Sequence, residues 1–136
     1  MATNRVGIVI LNYLNYKDTL ECISSALKLS YSPLFIVVVD NGSNNESYEV
    51  ISKKFKSKPS VTVLRSKTNL GFAQGNNLGI SYARKNLKCD FVFAVNNDTV
   101  FTDKKIITSL VSNYKKGSSI GLIGPRIIGK DGLDQN

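Results

Sequence analysis

Histidine is absent from the chain. That removes serine–histidine–aspartate and cysteine–histidine catalysis, and every histidine-based metal site, from this polypeptide. Cysteine is scarce: Cys22 and Cys89 are the only two, at no spacing that suggests a metal knuckle, and a reduced, cytoplasmic setting accounts for them most simply. No stretch approaches the roughly 18 continuous apolar residues of a membrane span. The opening MATNRVGIVIL is apolar over too short a distance and runs into LNYLNY without a small-residue cleavage site, so it reads as a first strand rather than a signal peptide. No repeat period and no linker divides the sequence.

What is present fits one compact domain with a core: 136 residues, 42% apolar and 21% charged. Acids are the minority charge, 10 against 18 basic side chains, for a net charge of +8. The densest basic run is KKFKSK, with Lys53, Lys54, Lys56 and Lys58. A solvated helix end, a surface facing anionic lipid or an acidic substrate, and a nucleic-acid contact all remain open for it, nucleic acid being the least favoured. Positive charge assists the approach of any phosphorylated ligand without identifying one.

Apolar runs of strand length occur at residues 5–11, 34–40, 60–66, 89–95 and 119–124. The run LFIVVVD lacks polar alternation, as expected of a parallel strand covered on both faces. Between the runs, helical periodicity places Leu20, Ile23, Ala26 and Leu27 on one face, capped by Asp18 or Thr19. It likewise groups Tyr48, Ile51 and Phe55, then Ala73, Asn77, Ile80 and Ala83. A fourth helix carries Ile106, Ile107, Leu110 and Val111 behind a cap at Thr102 or Asp103. The alternation predicts a three-layer α/β/α sandwich with a mostly parallel sheet of five strands. The ending GPRIIGKDGLDQN carries no legible closing element and suggests a chain cut inside a larger protein.

Open α/β sheets bind ligands outside the carboxyl ends of their strands. Polar clusters fall there four times: Asn12, Tyr13 and Asn15; Asp40, Asn41, Gly42 and Ser43; Arg65, Asn69 and Gly71; Asn96, Asn97 and Asp98. Each has a bland reading beside the functional one. Asp40 in VVVDNGS is either a turn residue capped by Ser43 or an acceptor for a base or ribose. Gly71, Gly75 and Gly79 serve close helix–sheet packing, or leave N–H groups at Gly71 for phosphate or sugar oxygens. Asn76 and Asn77 are poor helix formers in mid-helix, which favours a polar role. Asp98 in FAVNNDT is a turn or cap, or a carboxylate holding Mg²⁺ or Mn²⁺ against phosphate oxygens. No G-x-G-x-x-G follows the first strand and no Gly-Lys-Ser/Thr loop occurs, so dinucleotide oxidoreductase and P-loop ATPase readings fall together.

The ordered set GIVILNYLN, VVVDNGS, NLGFAQGNNLG and VNNDT resembles glycosyltransferase family 2, in pattern its rhamnosyltransferase-like branch of bacterial cell-surface polysaccharide synthesis. The likeness runs from about Val6 to Arg126. It implies the GT-A fold, with a nucleotide-binding half followed by an acceptor-binding half. It implies Asp40 at the base, with Asn12 and Tyr13 lining the same pocket and Arg65, Asn69 and Gly71 bordering the nucleotide. Asp98 becomes the last acid of an Asp-x-Asp-like element, meeting ribose and a divalent metal. Two departures stand out: Asn96 replaces the first acid of that element, and Asn45 stands where relatives often carry Asp. The family's general base lies beyond the VNNDT element, and neither Asp131 nor Asp134 is a convincing candidate.

The expectation is therefore the donor-binding part, residues 1–136, of an inverting transferase that uses a UDP- or dTDP-sugar and an acceptor hydroxyl on a saccharide or lipid-linked saccharide. Its base lies beyond Asn136, its place is the cytoplasm or the cytoplasmic membrane face, and this part alone transfers little or nothing. A non-catalytic nucleotide- or sugar-binding module is the alternative; a sugar nucleotidyltransferase fits less well, because LNYLNY is no glycine-rich phosphate loop.

Overall fold

The computed structural model describes residues 3–116 and 119–135. They fall into two compact units, one of Met1–Lys28 with Ser32–Thr102, the other of Leu29–Tyr31 with Asp103–Asn136.

The first unit runs β1 (Val6–Asn12), α1 (Tyr16–Ala26), β2 (Leu34–Asp40), α2 (Ser47–Phe55), β3 (Val61–Arg65), α3 (Gly71–Lys85) and β4 (Phe91–Asn96). Its sheet is parallel throughout, in the order β3-β2-β1-β4. Right-handed crossovers that step from β1 to β2 to β3 place α1 and α2 on one face. The return from β3 to β4 must then put α3 on the other, and α1 meets α2 while α3 meets β1, β2 and β4. This is the expected three-layer α/β/α sandwich.

Alternation along the central strands splits the core between those faces. Val9 and Val37 meet Ala83 and Cys89 on the α3 side, joined by Phe35, Leu64, Ile80 and Val92. Ile8, Ile10, Ile36 and Val38 alternate to the α1–α2 side and are equally buried, as are Ile23, Ile51 and Phe55 of those helices. Strand register aligns Asn12 with Asp40, so the two polar ends of β1 and β2 lie side by side.

Three expectations change. Helix α1 begins three residues early, because Asn15 rather than Asp18 or Thr19 is its N-cap and accepts from the Asp18 N–H. Helix α3 buries Gly75, Asn76, Gly79 and Ala83, leaving Ala73 and Asn77 exposed. The helix turns its glycines inward because only a residue without Cβ fits there: a methyl on Gly75 would lie 2.6 Å from Leu11 Cδ1, and one on Gly79 2.5 Å from Val9 Cγ1. Finally, residues 119–124 form no strand. They include two glycines and find no ladder partner among the described residues, and an extended segment without a partner leaves its backbone groups to water.

In the second unit α4 spans Ile106–Lys116, and Asp103 supports its start by accepting from the Lys105 and Ile106 N–H groups. The tail, unreadable in sequence, closes a small antiparallel bridge between Ile128 and Asp134.

The glycine seam sets a signed expectation. Gly→Ala in an open helix stabilises by up to about 1 kcal/mol. Gly79→Ala instead drives a methyl into Val9 and Val39, and should destabilise by about 1–3 kcal/mol in urea unfolding.

Candidate functional site

The carboxyl edge of the sheet is organised by buried polar side chains. Asn12 and Asp40, both fully buried, join through Asn12 Nδ2 donating to Asp40 Oδ1 at 2.8 Å. The other carboxylate oxygen accepts from the Ser43 N–H at 3.2 Å, and the Arg65 guanidinium lies 3.8 Å away. On the far side of Asn12, Oδ1 accepts from the Thr19 hydroxyl at 2.7 Å. Thr19 Oγ1 in turn accepts from Asn97 Nδ2 at 3.1 Å. A chain of hydrogen bonds thus links the end of β4, through α1 and β1, to the end of β2. Its members alternate donor and acceptor along the whole length, as an amide, a hydroxyl and a carboxylate permit.

This chain fixes the two loops above it. Leu14 adopts φ 62°, a left-handed conformation that costs a non-glycine residue about 1–3 kcal/mol. It is held there because its N–H donates to Ser43 Oγ at 2.9 Å and its carbonyl accepts from Asn45 Nδ2 at 2.9 Å. The kink leaves Tyr13 46% exposed beside the strand ends. Asn45 also caps Ser47 through its carbonyl oxygen. An aspartate at this position could accept from Ser47 but could not donate to Leu14, so the amide has its own use here.

A second clamp shapes the loop after β3. Asn41 donates to Asn69 Oδ1 and to the Gly71 carbonyl, and accepts from the Leu70 N–H. Gly42, at φ 73°, lies so close to this loop that a Cβ would sit 2.3 Å from the Thr68 carbonyl carbon. Gly71 takes φ 78° with open space around it, so its glycine answers the backbone angle rather than crowding. The Gly71 N–H donates to Asn69 Oδ1 at 2.8 Å and is therefore committed, not left for a phosphate oxygen. Asn76 departs further from its expected role: it is buried, and its amide donates to the Phe72 carbonyl one turn back within α3.

Between these loops opens a cavity of about 320 Å³ lined by Gly42, Ser43, Arg65, Ser66 and Lys67. Arg65 is oriented by Glu49 at 2.9 Å, by the Tyr48 ring at 4.9 Å and by the Ser43 carbonyl. Its side chain stays 40% exposed, so a cation braced from behind faces solvent.

At the end of β4, the Asn96 carbonyl accepts from the Thr99 N–H, which makes the expected turn. Asn97 turns inward to Thr19 and to the Asn15 carbonyl, while Asn96 and Asp98 are exposed. Beneath them Cys22 is buried, and burial first, the Asp98 carboxylate second, push its thiol from 9.0 up to about 12. Among the described residues no three His, Cys, Asp or Glu side chains gather into a metal cluster. Asp98 therefore suits a hard cation only in the mode where one carboxylate is completed by ligand and water oxygens.

The structure brings Asn12, Asp40, Asn41, Arg65, Asn69, Gly71 and Asn97 into this network, and leaves Tyr13, Asn96 and Asp98 exposed around it. Sequence reasoning missed Thr19 as the bridge, Asn45 as a clamp and Lys67 as a cavity wall. In the sequence Thr19 reads only as a cap, and nothing local marks its partner 78 residues away.

An open parallel α/β sheet with a polar carboxyl edge is the architecture of nucleotide-binding α/β proteins. The family model described as Glycosyl transferase family 2 matches residues 7–136, and the chain belongs to that family. It is 30% identical over 115 residues to Glycosyltransferase GlyG of Streptococcus pneumoniae, covering 85% of this chain and 37% of that protein. Among solved structures it resembles the mannosyltransferase PcManGT from Pyrobaculum calidifontis, in complex with GDP-Man and Mn²⁺, with TM-score 0.72 at 18% identity over 81% of this chain and 32% of that one. It also resembles S. aureus TarS in complex with UDP-GlcNAc, with TM-score 0.68 at 17% identity over 91% and 40% of the respective chains. The chain thus spans well under half the length of these relatives.

Thr19→Val keeps the shape of the bridge but strands the Asn12 carbonyl oxygen and leaves the Asn97 amide with the Asn15 carbonyl alone. Chemical denaturation should show a loss of about 1–3 kcal/mol, with Thr19→Ser restoring most of it. For Cys22 the folded chain holds its proton to about pH 12, so its contribution to stability is complete below pH 9 and is lost as pH rises from 9.0 towards 12. Iodoacetamide at pH 8.5 should accordingly leave Cys22 unmodified in the folded protein and label it rapidly in urea.

Proposed function

We propose that this chain is the donor-binding part of a glycosyltransferase that holds a nucleoside-diphosphate sugar along the carboxyl edge of its sheet. The observation that carries the reading is the hydrogen-bond chain from Asn97 through Thr19 and Asn12 to Asp40, which fixes the ends of β4, β1 and β2 around one polar edge. Family membership supports the transferase assignment. The GDP-Man and UDP-GlcNAc held by the two structural relatives support a sugar-nucleotide donor.

In this reading the exposed Tyr13 ring offers the base a stacking face, and Arg65 with Lys67 meets ribose or phosphate oxygens from the cavity wall. Asn12 and Asp40 have no exposed side-chain surface, so they act from beneath, by holding Arg65 and the Ser43 turn in place. Around the edge the charge is unfavourable to a diphosphate. Lys17, Arg65 and Lys67 stand against Asp18, Asp40, Glu46, Glu49 and Asp98. Compensation must come from elsewhere, and Asp98 is the exposed carboxylate at the end of β4 that would hold Mg²⁺ or Mn²⁺ together with the diphosphate and water. Such a cation supplies charge neutralisation for the departing nucleoside diphosphate.

The proposal includes inversion at the anomeric carbon as an acceptor hydroxyl attacks, a UDP- or dTDP-sugar donor, a saccharide or lipid-linked saccharide acceptor, and the rhamnosyltransferase-like branch. It places the general base outside residues 1–136, so that this part binds donor but transfers little alone.

Calorimetric titration with UDP, dTDP and GDP, each with and without Mn²⁺, tests the reading. Asp98→Ala should weaken Mn²⁺-dependent binding about tenfold or more while leaving metal-free binding nearly unchanged. Equal affinities of wild type and variant with Mn²⁺ would remove the metal role, and no binding of any nucleotide would remove the donor site.

A further inference from the structure

The excess positive charge does not lie where an anionic donor would use it. Because all four strands are parallel, every helix of the first unit returns to the edge where the strands begin. Lys28 follows α1 at that edge. Lys53 and Lys54 close α2, and Lys56 and Lys58 follow it. Arg84 and Lys85 close α3, with Lys88 beyond. These eight side chains are exposed, and among the described residues none of them sits in an ion pair. The acid near them, Asp90, accepts from the Arg5 backbone N–H.

The strands separate this edge from the donor edge by about 20 Å. That exceeds the ~8 Å over which exposed charges act at physiological salt. The donor edge itself carries more acids than bases, as set out above. Steering of a sugar nucleotide therefore does not explain the basic edge. Helix termini favour cations through the macrodipole, yet Lys58 and Lys88 lie beyond the caps of the helices they follow.

We propose that the strand-start edge of the first unit is a docking surface for an anionic lipid bilayer. Charge complementarity selects an anionic partner. Breadth selects a bilayer: α1 and α2 end on one face of the sheet and α3 on the other, so the cations span the full thickness of the sandwich rather than line a groove. Among the described residues no aromatic side chain is exposed between them to stack on bases, which disfavours single-stranded nucleic acid. The inference stands independently of the donor reading.

Vesicle co-sedimentation tests it, using phosphatidylcholine alone and phosphatidylcholine mixed with phosphatidylglycerol, at low and at physiological salt. The protein should bind only the mixed vesicles, more weakly as salt rises. The K53Q/K54Q/K56Q/K58Q variant should lose affinity about a thousandfold, whereas K17Q, which alters an exposed lysine at the carboxyl edge of the same unit, should bind as wild type does. Circular dichroism and nucleotide titration on the same samples separate a lost surface from a lost fold. Absence of binding to the mixed vesicles, equal losses in the two variants, or equally tight binding to duplex DNA would each overturn the proposal.

Discussion

The hydrogen bond from Asn12 to Asp40, buried and 2.8 Å long, is the constraint on which the edge depends. A carboxylate withdrawn from water needs partners, and isolated burial of that charge would cost many kcal/mol. Asp40 obtains an amide, a backbone N–H and a guanidinium at 3.8 Å, and each partner belongs to a different segment. Satisfying one acid therefore fixes β1, the Ser43 turn and the end of β3 together. Asn12 can serve because its amide has two ends: the nitrogen meets Asp40 while the oxygen receives Thr19 and, through it, Asn97. A residue with one polar end would hold one half of the edge and release the other.

Around this centre the fold divides its work by face and by edge. The α3 face approaches closely because glycine is placed where the sheet presents Val9, Leu11 and Val39. The opposite face relies on branched aliphatic side chains beneath α1 and α2. Strand ends carry the amides and hydroxyls, and strand starts carry the lysines. Glycosyl transferase family 2 membership gives the polar edge its reading as a donor site. Under the proposed donor reading, the segregation of charge leaves compensation of the diphosphate to a cation at Asp98 rather than to the protein's net charge.

Much of this was legible in order and little of it in partnership. LFIVVVD reads as a strand residue for residue, because a parallel strand buried on both faces needs an unbroken apolar run. The start of α1 was misjudged because Asn15, Asp18 and Thr19 are all good caps and only the tertiary position of Asn12 claims Thr19 for another purpose. The inner face of α3 was misjudged because apolar periodicity overlooks glycine, which here is the buried residue. Asn76 looked like a ligand contact since it is a poor helix former, yet its amide closes a bond within its own helix. The strand expected at residues 119–124 rested on composition alone, and composition cannot supply a neighbour to pair with.

The most direct test of the central claim maps a bound nucleotide and its cation onto the sheet. In amide NMR spectra of labelled protein, UDP with substoichiometric Mn²⁺ should broaden resonances of Asn96, Asn97, Asp98 and Thr99 most strongly. Tyr13, Ser66 and Lys67 should follow, and Arg84, Lys85 and Lys88 at the opposite edge should remain sharp. Broadening centred on the strand-start edge, or spread evenly over the chain, would contradict the account.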